Sequence, residues 1–381
     1  MTSTTSPSVL PPSPTGRPSL ARGLIFAVML GLLAIEWSLR SYTSYGATVE
    51  READPALGWR LRTADLAYGE SGIPLRINSH GFRDQEWLPP GSEQGATLRI
   101  AVLGDSVTFG AGVEETERWT DLLEESMRAE TPQRATVVMN FGLPGYTLEQ
   151  MAQCYEHAVR PHKPDLVLLA LNDVSARPAS VWEPEHASAL AQAVRETALY
   201  DFWQRSVSAG NHAQGRRYNS SERAEHRRVQ AIWEEPFAPA HEVLWRRFIR
   251  RTAELAGEVH SDGSQLVLIP LPAFVHCRHP DRPRLAALLA DWDPIHELDR
   301  LDTFSAARKV MDPLLKHVAE MGLDPDRIWS TDRESMDQID PQWADQSLFF
   351  LHDPKHFTPR GHAMLADEIH EGLREQGFFG F

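Results

Sequence analysis

The sequence predicts an α/β fold, a three-layer sandwich in which a central, mostly parallel sheet is flanked by helices, with a transmembrane helix ahead of it. The first observation is a set of uninterrupted apolar runs, such as Leu98 to Leu103, where Arg99 is the only charge. Continuous apolarity of this length is typical of a strand that is covered on both faces. The second observation is that such runs alternate with helical patterns, and the third is a long apolar segment near the amino end, Gly23 to Leu39.

The amino end combines a polar tail with this apolar segment. Residues 1–22 are rich in Ser, Thr and Pro, so we expect them to be disordered. The segment 23–39 carries a single charge, Glu36, and as a helix it would reach about 26 Å, enough to span a bilayer with help from its flanks. We favour an uncleaved anchor over a buried core helix, because the run is apolar on all sides, and over a signal peptide, because no small-x-small site follows it. Arg17 and Arg22 precede the anchor, which predicts that the amino end stays inside and that the rest of the chain is extracytoplasmic.

The remainder of the chain is predicted to divide into an extension and a main domain. Residues 40–93 show little periodicity and are predicted to be a juxtamembrane extension and linker, closing with the stretch Pro89 to Gly95. The main domain, residues 94–381, is predicted to contain, in order, a strand at Leu98–Leu103, a helix at Trp119–Ala129, a strand ending at Asn140, a helix after Thr147, a strand ending at Leu171, a helical insertion at about 174–260 and a strand at Ser264–Leu271. Strands that alternate with helices in this way predict a parallel sheet with helices on both faces.

Charge and cysteine content argue against two classes of function. The formal net charge is −15 at pH 7, whereas binding to nucleic acid needs a basic face, so no nucleic-acid partner is expected. The two cysteines, Cys154 and Cys277, form neither a zinc-site pattern nor a disulfide framework. A disulfide bond between these two cysteines remains an alternative if the domain lies outside the cytoplasm.

The turn after the first predicted strand holds Ser106 among glycines. A phosphate-binding loop would need a lysine after its second glycine, but Ala111 follows Gly110. A dinucleotide fingerprint would need a glycine three residues after Gly112, where Glu115 stands. The interpretations that remain are a nucleophilic serine and a serine that merely braces the turn. Since open α/β sheets bind their ligands at the carboxyl ends of strands, the nucleophile is the interpretation to test.

Other polar groups follow the predicted strands or lie near the carboxyl end. Gly145 lies in a Pro-Gly turn ahead of a helix whose first amides lack partners, and Asn172 offers a neutral side-chain donor at a strand end. Asp353 stands three residues before His356, and Pro354 stiffens the turn that we predict between them. The carboxylate could then reach one ring nitrogen while the other points away, as a base and its orienting group require.

Histidines raise the alternative of a metal site. The candidates are His352, His356 and His362, and separately His276 and His279. We do not favour metal binding, because Pro354 interrupts a helical His-x-x-x-His face and no third ligand is indicated. The candidate chemistry requires neither a metal nor an organic cofactor.

Four blocks in order, "GDSVTFGAG", "NFGLPGYT", "LALNDV" and "DPKHFTPRGH", resemble the SGNH/GDSL hydrolase family. The resemblance spans Leu98 to Leu373, and it implies the flavodoxin-like arrangement of that family. The apolar anchor and the stretches "LGWRLR" and "INSHGFRD" before the domain are similar to its membrane-anchored bacterial branch. One departure is that the third block lacks the glycine commonly found before its asparagine.

The resemblance also implies roles for individual residues. Ser106 would be the nucleophile, His356 the general base and Asp353 its partner. Ser106, Gly145 and Asn172 would supply the oxyanion hole. No Gly-x-Ser-x-Gly elbow is present, which excludes the usual α/β-hydrolase arrangement.

These observations predict a membrane-anchored serine esterase that hydrolyses acyl esters, O-acetyl esters among them, through an acyl-enzyme. The substrate is expected to be an acyl ester, with acylated glycans and lipids as candidates, and the N-terminal helix is expected to contact the membrane. Two alternatives stay open. The first is an O-acyltransferase that acts on a cell-surface glycan through the same acyl-enzyme, and the second is a catalytically inactive binding module.

Overall fold

The computed structural model describes residues 20–42, 49–68, 73–92, 97–177, 194, 197–200, 202, 239–278, 299–329, 345–351 and 353–378. Its helices are α1 (Leu20–Tyr42), α2 (Ser106–Phe109), α3 (Trp119–Glu130), α4 (Leu148–Cys154), α5 (Pro239–Ser261), α6 (Phe274–Arg278), α7 (Thr303–Glu320), α8 (Pro325–Ile328) and α9 (Pro359–Glu375). Its strands are β1 (Arg51–Asp54), β2 (Gly58–Leu61), β3 (Ala64–Tyr68), β4 (Pro74–Ile77), β5 (Thr97–Gly104), β6 (Ala135–Gly142), β7 (Leu166–Leu171), β8 (Gln265–Pro270), β9 (Asp299–Arg300), β10 (Phe349–Phe350) and β11 (Asp353–Phe357).

The central layer is a five-stranded sheet with the order β6-β5-β7-β8-β9. Every neighbouring pair in it is parallel. The strand that follows β5 in the chain lies on one side of it and the next lies on the other, so the winding reverses between β5 and β7. This is the flavodoxin-like order, and the crevice at such a reversal is where open α/β sheets bind ligands. The predicted fold class is confirmed.

Side chains of β5 alternate between two apolar clusters, which explains its unbroken apolar run. Ile100 and Val102 belong to a cluster that includes residues of α3, α7 and α9. Ala101 and Leu103 belong to a second cluster that includes residues of α4 and α5. All four side chains are fully buried, as expected for a strand covered by helices on both faces.

The helices and strands predicted for the main domain are found in the structure, with first or last residues that differ by a few positions. The strand predicted to end at Asn140 continues to Gly142 in β6, and the helix predicted after Thr147 begins there, with Thr147 as its N-cap. The predicted helical insertion at about 174–260 includes the long helix α5. Its residues 203–238 lie outside the described part of the chain.

The two cysteines lie in different layers. Cys154 belongs to the cluster on the α4 side of the sheet, and Cys277 belongs to the cluster on the α3 side. Both side chains are buried free thiols, so the disulfide bond that the sequence allowed is not formed.

The segment predicted as an extension and linker packs into the main domain over much of its described length. Antiparallel pairs β1–β2 and β3–β4 form within it. It contributes buried apolar side chains to the cluster on the α4 side, namely Leu57, Trp59, Leu61, Leu75, Ile77, Phe82 and Trp87. Its strands are only four or five residues long. Alternation over so few residues is too short to stand out in the sequence.

Helix α1 contains the whole of the predicted anchor segment. The stretch Arg22–Ser41 is long and apolar enough to cross a membrane, and none of it is buried. Large apolar side chains between Leu24 and Trp37 are about half exposed or more, with Leu24 at 69% and Trp37 at 64%. Such exposure does not fit the alternative of a buried core helix. Residues 1–19 of the predicted disordered tail lie outside the described residues, and residues 20–22 belong to α1.

Candidate active site

Ser106 is the first residue of the one-turn helix α2, at the carboxyl end of β5. Asp105 precedes it as the N-cap, and its Oδ1 accepts a hydrogen bond from the Val107 amide at 3.0 Å. Gly110 ends the helix with φ of 80°, a left-handed conformation that glycine adopts without strain. The sequence predicted a turn here and no helix before Trp119, and this was wrong because a four-residue helix shows no periodicity.

Two paired glycines let α2 lie directly on the strand ends. Gly104 of β5 pairs with Gly142 of β6. A Cβ atom at Gly104 would overlap the side chain of Thr108, and one at Gly142 would lie 2.5 Å from the amide nitrogen of Phe109. Any side chain at either position would push α2, and Ser106 with it, away from the sheet.

His356 connects Ser106 to Asp353 through its two ring nitrogens. The distance from Nε2 of His356 to Oγ of Ser106 is 2.7 Å, and that from Nδ1 to Oδ2 of Asp353 is 2.6 Å. A neutral imidazole that carries its proton on Nδ1 donates to Asp353 and accepts the Ser106 hydroxyl proton at Nε2. The three side chains therefore form one continuous hydrogen-bonded chain.

The local structure around Asp353 and His356 differs from the prediction. These residues belong to strand β11, which pairs with β10, and not to a stiff turn. A proline within a short two-stranded sheet is compatible with strand geometry, so Pro354 does not require a turn. The predicted contact between the carboxylate and the imidazole forms nevertheless. The helix predicted to start at about Thr358 is found as α9, and Thr358 is its N-cap.

The charges around His356 stabilise its protonated form more than water does for a free imidazole. Burial lowers the pKa of His356, but the hydrogen bond to Asp353 and the negative charges of Asp353 and Asp105 outweigh it, so the pKa is raised above its usual value. Burial raises the pKa of Asp353, but the hydrogen bond and charge of His356 dominate, so that pKa is lowered. Asp353 is thus ionised where a base needs an orienting anion.

Asn172 lies directly after β7, beside the turn that holds Ser106. Its Nδ2 donates to Oδ2 of Asp105 at 2.6 Å, and its backbone amide donates to Oγ of Ser175 at 3.2 Å. The structure thus brings the predicted Asn172 to the turn that holds Ser106, at the winding reversal of the sheet.

Gly145 follows β6, the strand on the other side of β5. Its φ is 85°, and a Cβ atom there would meet no atom of the described residues within 4 Å. The turn is held by the amide of Tyr146, which donates to the Leu143 carbonyl at 3.1 Å. Ser106, Gly145 and Asn172 therefore follow three neighbouring strands at the same edge of the sheet.

The other predicted histidines have structural contacts. His362 is buried in α9, and its Nδ1 accepts from the Trp119 amide at 3.3 Å. Burial, together with the positive charge of Arg118, lowers the pKa of His362 to about 3, so this imidazole is neutral. Nδ1 of His276 accepts from the Ala273 amide at 2.9 Å. His352 and His279 lie outside the described residues.

Sequence reasoning missed the role of Asp105. This carboxylate caps α2 and bonds to Asn172. An aspartate immediately before a helix start is a common N-cap, so the sequence indicates this role of Asp105 once a helix is predicted to start at Ser106. The contact with Asn172 left no sequence signal, because it joins residues that are far apart in the chain.

Comparisons with known proteins agree with this architecture. The model of the GDSL-like Lipase/Acylhydrolase family matches residues 102–364. The chain belongs to this family, and it is an ester-hydrolysing enzyme. No curated protein matches the chain.

Several solved structures are similar to the chain. A lipase/acylhydrolase from Enterococcus faecalis is 16% identical, with 74% of this chain and 97% of that chain covered and a TM-score of 0.37. An acetylxylan esterase from Geobacillus stearothermophilus is 15% identical, with 74% and 95% covered and a TM-score of 0.38. A two-domain esterase active on acetylated mannans is 14% identical, with 74% and 49% covered and a TM-score of 0.39.

Proposed function

We propose that this chain is a membrane-anchored serine esterase that hydrolyses acyl esters through an acyl-enzyme on Ser106. The observation that carries the proposal is the unbroken hydrogen-bonded chain from Ser106 Oγ through His356 to Asp353, with distances of 2.7 and 2.6 Å. A nucleophile, a base in hydrogen-bond reach and an anion that orients the base are the three parts that acyl transfer to a serine requires.

In the first half of the reaction, Ser106 Oγ attacks the ester carbonyl while His356 Nε2 takes its proton. The tetrahedral intermediate carries a negative charge on the former carbonyl oxygen. When it collapses, the imidazolium gives its proton to the departing alkoxide, and the acyl group stays on Ser106. The Asp353 carboxylate stabilises the imidazolium during both proton transfers.

In the second half, water attacks the acyl-enzyme while His356 again acts as the base. Collapse of the second intermediate returns the proton to Ser106 Oγ and releases the carboxylic acid. The proposed oxyanion donors are the amides of Ser106 and Gly145 and the side chain of Asn172. Each such donor typically contributes about 2.7 to 4 kcal/mol to stabilisation of the transition state.

Helix α1 is proposed to remain attached as the anchor, with the amino end inside. The twenty-residue stretch Arg22–Ser41 has the length that a bilayer requires, and its apolar side chains are exposed. A phosphatase fused after Phe381 should then be active only when it is exported, and the chain should stay in the membrane pellet after a salt wash. Release of a shortened, soluble chain would show instead that α1 is cleaved as a signal peptide.

The activity itself is tested with purified wild type and Ser106→Ala on nitrophenyl esters of increasing acyl length. We expect hydrolysis by the wild type and none above background by Ser106→Ala, with equal melting temperatures. Measurement of acyl transfer against hydrolysis on one acetylated glycan then distinguishes an esterase from an acyltransferase. Equal activity of both proteins on every ester would contradict the proposed nucleophile.

A further inference from the structure

A buried arginine of the segment before the central sheet lies against the chain that leaves the nucleophile turn. The side chain of Arg83 is 1% exposed. Its Nη1 donates to the carbonyl oxygens of Phe109 and Gly110 at 3.1 and 2.6 Å, and its Nη2 donates to the Val113 carbonyl at 2.8 Å. A single guanidinium therefore binds three backbone carbonyls just downstream of Ser106.

Two of these carbonyls, those of Phe109 and Gly110, lie at the end of α2. The helix is one turn long, and Gly110 terminates it in a left-handed conformation. The last carbonyls of a helix lack intrahelical partners, and a buried carbonyl without a hydrogen bond is costly. The planar guanidinium offers five donors in a fixed fork, whereas a lysine ammonium cannot reproduce that geometry.

Arg83 is itself fixed by residues on two other elements. Its backbone carbonyl accepts from Nη1 of Arg118, and Nε of Arg118 pairs with Asp121 of α3 at 2.6 Å. The neighbouring Asp84 accepts from the amide of Asn140 in β6 at 2.8 Å. The backbone at Arg83 and Asp84 is thus connected to both α3 and β6.

We propose that Arg83 is a positioning residue for Ser106. It fixes the carboxyl end of α2, and since α2 is a single rigid turn, it thereby keeps Oγ of Ser106 within hydrogen-bond reach of His356. This inference rests on the proposed role of Ser106 as the nucleophile. The segment between the anchor and the central sheet is then part of the catalytic unit as well as a tether.

The test compares three arginine-to-lysine substitutions in the full-length chain. Arg83→Lys keeps the charge and removes the fork. Arg76→Lys changes a half-exposed arginine of the same segment, whose Nη2 binds Glu115 at 2.6 Å. Arg99→Lys changes a second buried arginine that also donates to backbone carbonyls, those of His162 and Leu88, but near the amino end of β5. Arg83→Gln is a second variant for Arg83, which keeps one donor nitrogen and removes the buried charge.

We expect Arg83→Lys and Arg83→Gln to lower kcat per folded molecule about tenfold or more, since a misplacement of about 1 Å can cost about a hundredfold. The rate at which an organophosphonate modifies Ser106 should fall in parallel, and KM should change little. The charges that act most strongly on His356 belong to Asp353, Asp105 and Lys355, so the pH at which kcat/KM rises should not move. Arg99→Lys should lower the melting temperature with kcat unchanged, and Arg76→Lys should change neither.

Three outcomes are distinguishable. If the Arg83 variants lose melting temperature but keep the wild-type kcat per folded molecule, as expected for Arg99→Lys, the positioning role is wrong and Arg83 only stabilises the fold. If Arg99→Lys lowers kcat and phosphonylation as much as Arg83→Lys does, the effect is not specific to the nucleophile turn and the proposal is also wrong. If Ser106→Ala, measured in parallel, stays active, then the proposed nucleophile fails, independently of Arg83.

Discussion

Asn172 and Asp105 join the ends of two neighbouring strands through a hydrogen bond of 2.6 Å from Nδ2 to Oδ2. The second carboxylate oxygen of Asp105 caps α2 at the Val107 amide. The charge of Asp105 also contributes to the raised pKa of His356. One carboxylate therefore influences helix α2, a proposed oxyanion donor and the proposed base.

Replacement of Asp105 by Asn removes its charge and keeps its cap on α2. Asparagine caps a helix about as well as aspartate, so its side-chain oxygen should still accept from the Val107 amide, whereas the amide nitrogen that replaces Oδ2 cannot accept from Asn172. Removal of the negative charge lowers the pKa of His356, so the base stays unprotonated at lower pH. We expect the rise of kcat/KM to move to lower pH than in the wild type.

The matched control is Asp262→Asn. Asp262 is hydrogen-bonded to Tyr155 and Arg160, and it precedes β8 at the amino edge of the sheet, opposite the site. Its substitution should leave the pH profile in place. An Asp105→Asn profile that coincides with that of Asp262→Asn would rule out the electrostatic role of Asp105.

The pH dependence of the wild type reports on the ion pair. Only neutral His356 can accept the Ser106 proton, so kcat/KM should rise as pH increases through the pKa of His356. Because that pKa is raised, the rise should be centred above the ordinary value of about 6.5. In Asp353→Ala, burial acts without the opposing carboxylate, so the rise should move to lower pH and kcat should fall, though less than in His356→Ala. A profile centred at or below the ordinary value in the wild type would contradict this account.

Removal of the Asn172 side chain tests the proposed oxyanion hole. An interaction made mainly in the transition state affects kcat and leaves KM nearly unchanged. We expect Asn172→Ala to lower kcat by about a hundredfold or more. A change confined to KM, with kcat retained, would assign Asn172 to substrate binding instead.

His362 and His356 should respond oppositely to substitution. His362 is a neutral acceptor for the Trp119 amide, so His362→Gln should retain activity and the pH profile while it lowers the free energy of unfolding by about 1 kcal/mol. His356→Ala should be nearly as inactive as Ser106→Ala, because a nucleophile and its base lose function together. Steady-state kinetics on the three variants checks this, and an inactive His362→Gln beside an active His356→Ala would overturn the assignment of the base.

The sequence predicted four strands of the central sheet because each of them reads as an apolar run, and it missed β9, which consists of two exposed charged residues. It also indicated the polar residues at strand ends, since the carboxyl ends of parallel strands meet at one edge. It missed α2, because a helix of four residues is too short to show a helical period of apolar side chains. It also missed the packing of residues 49–92, where Arg83 and Asp84 act through contacts with backbone groups that are distant in sequence and leave no periodic pattern.

The central claim is that Ser106 is the nucleophile and that His356 activates it. The most direct measurement treats the wild type, Ser106→Ala and His356→Ala with a serine-reactive organophosphonate and locates the adduct by peptide mass spectrometry. We expect a single adduct on the Ser106 peptide of the wild type, none on Ser106→Ala, and greatly slowed modification of His356→Ala. An adduct on another residue with catalytic activity abolished, or full activity after quantitative modification of Ser106, would contradict the claim.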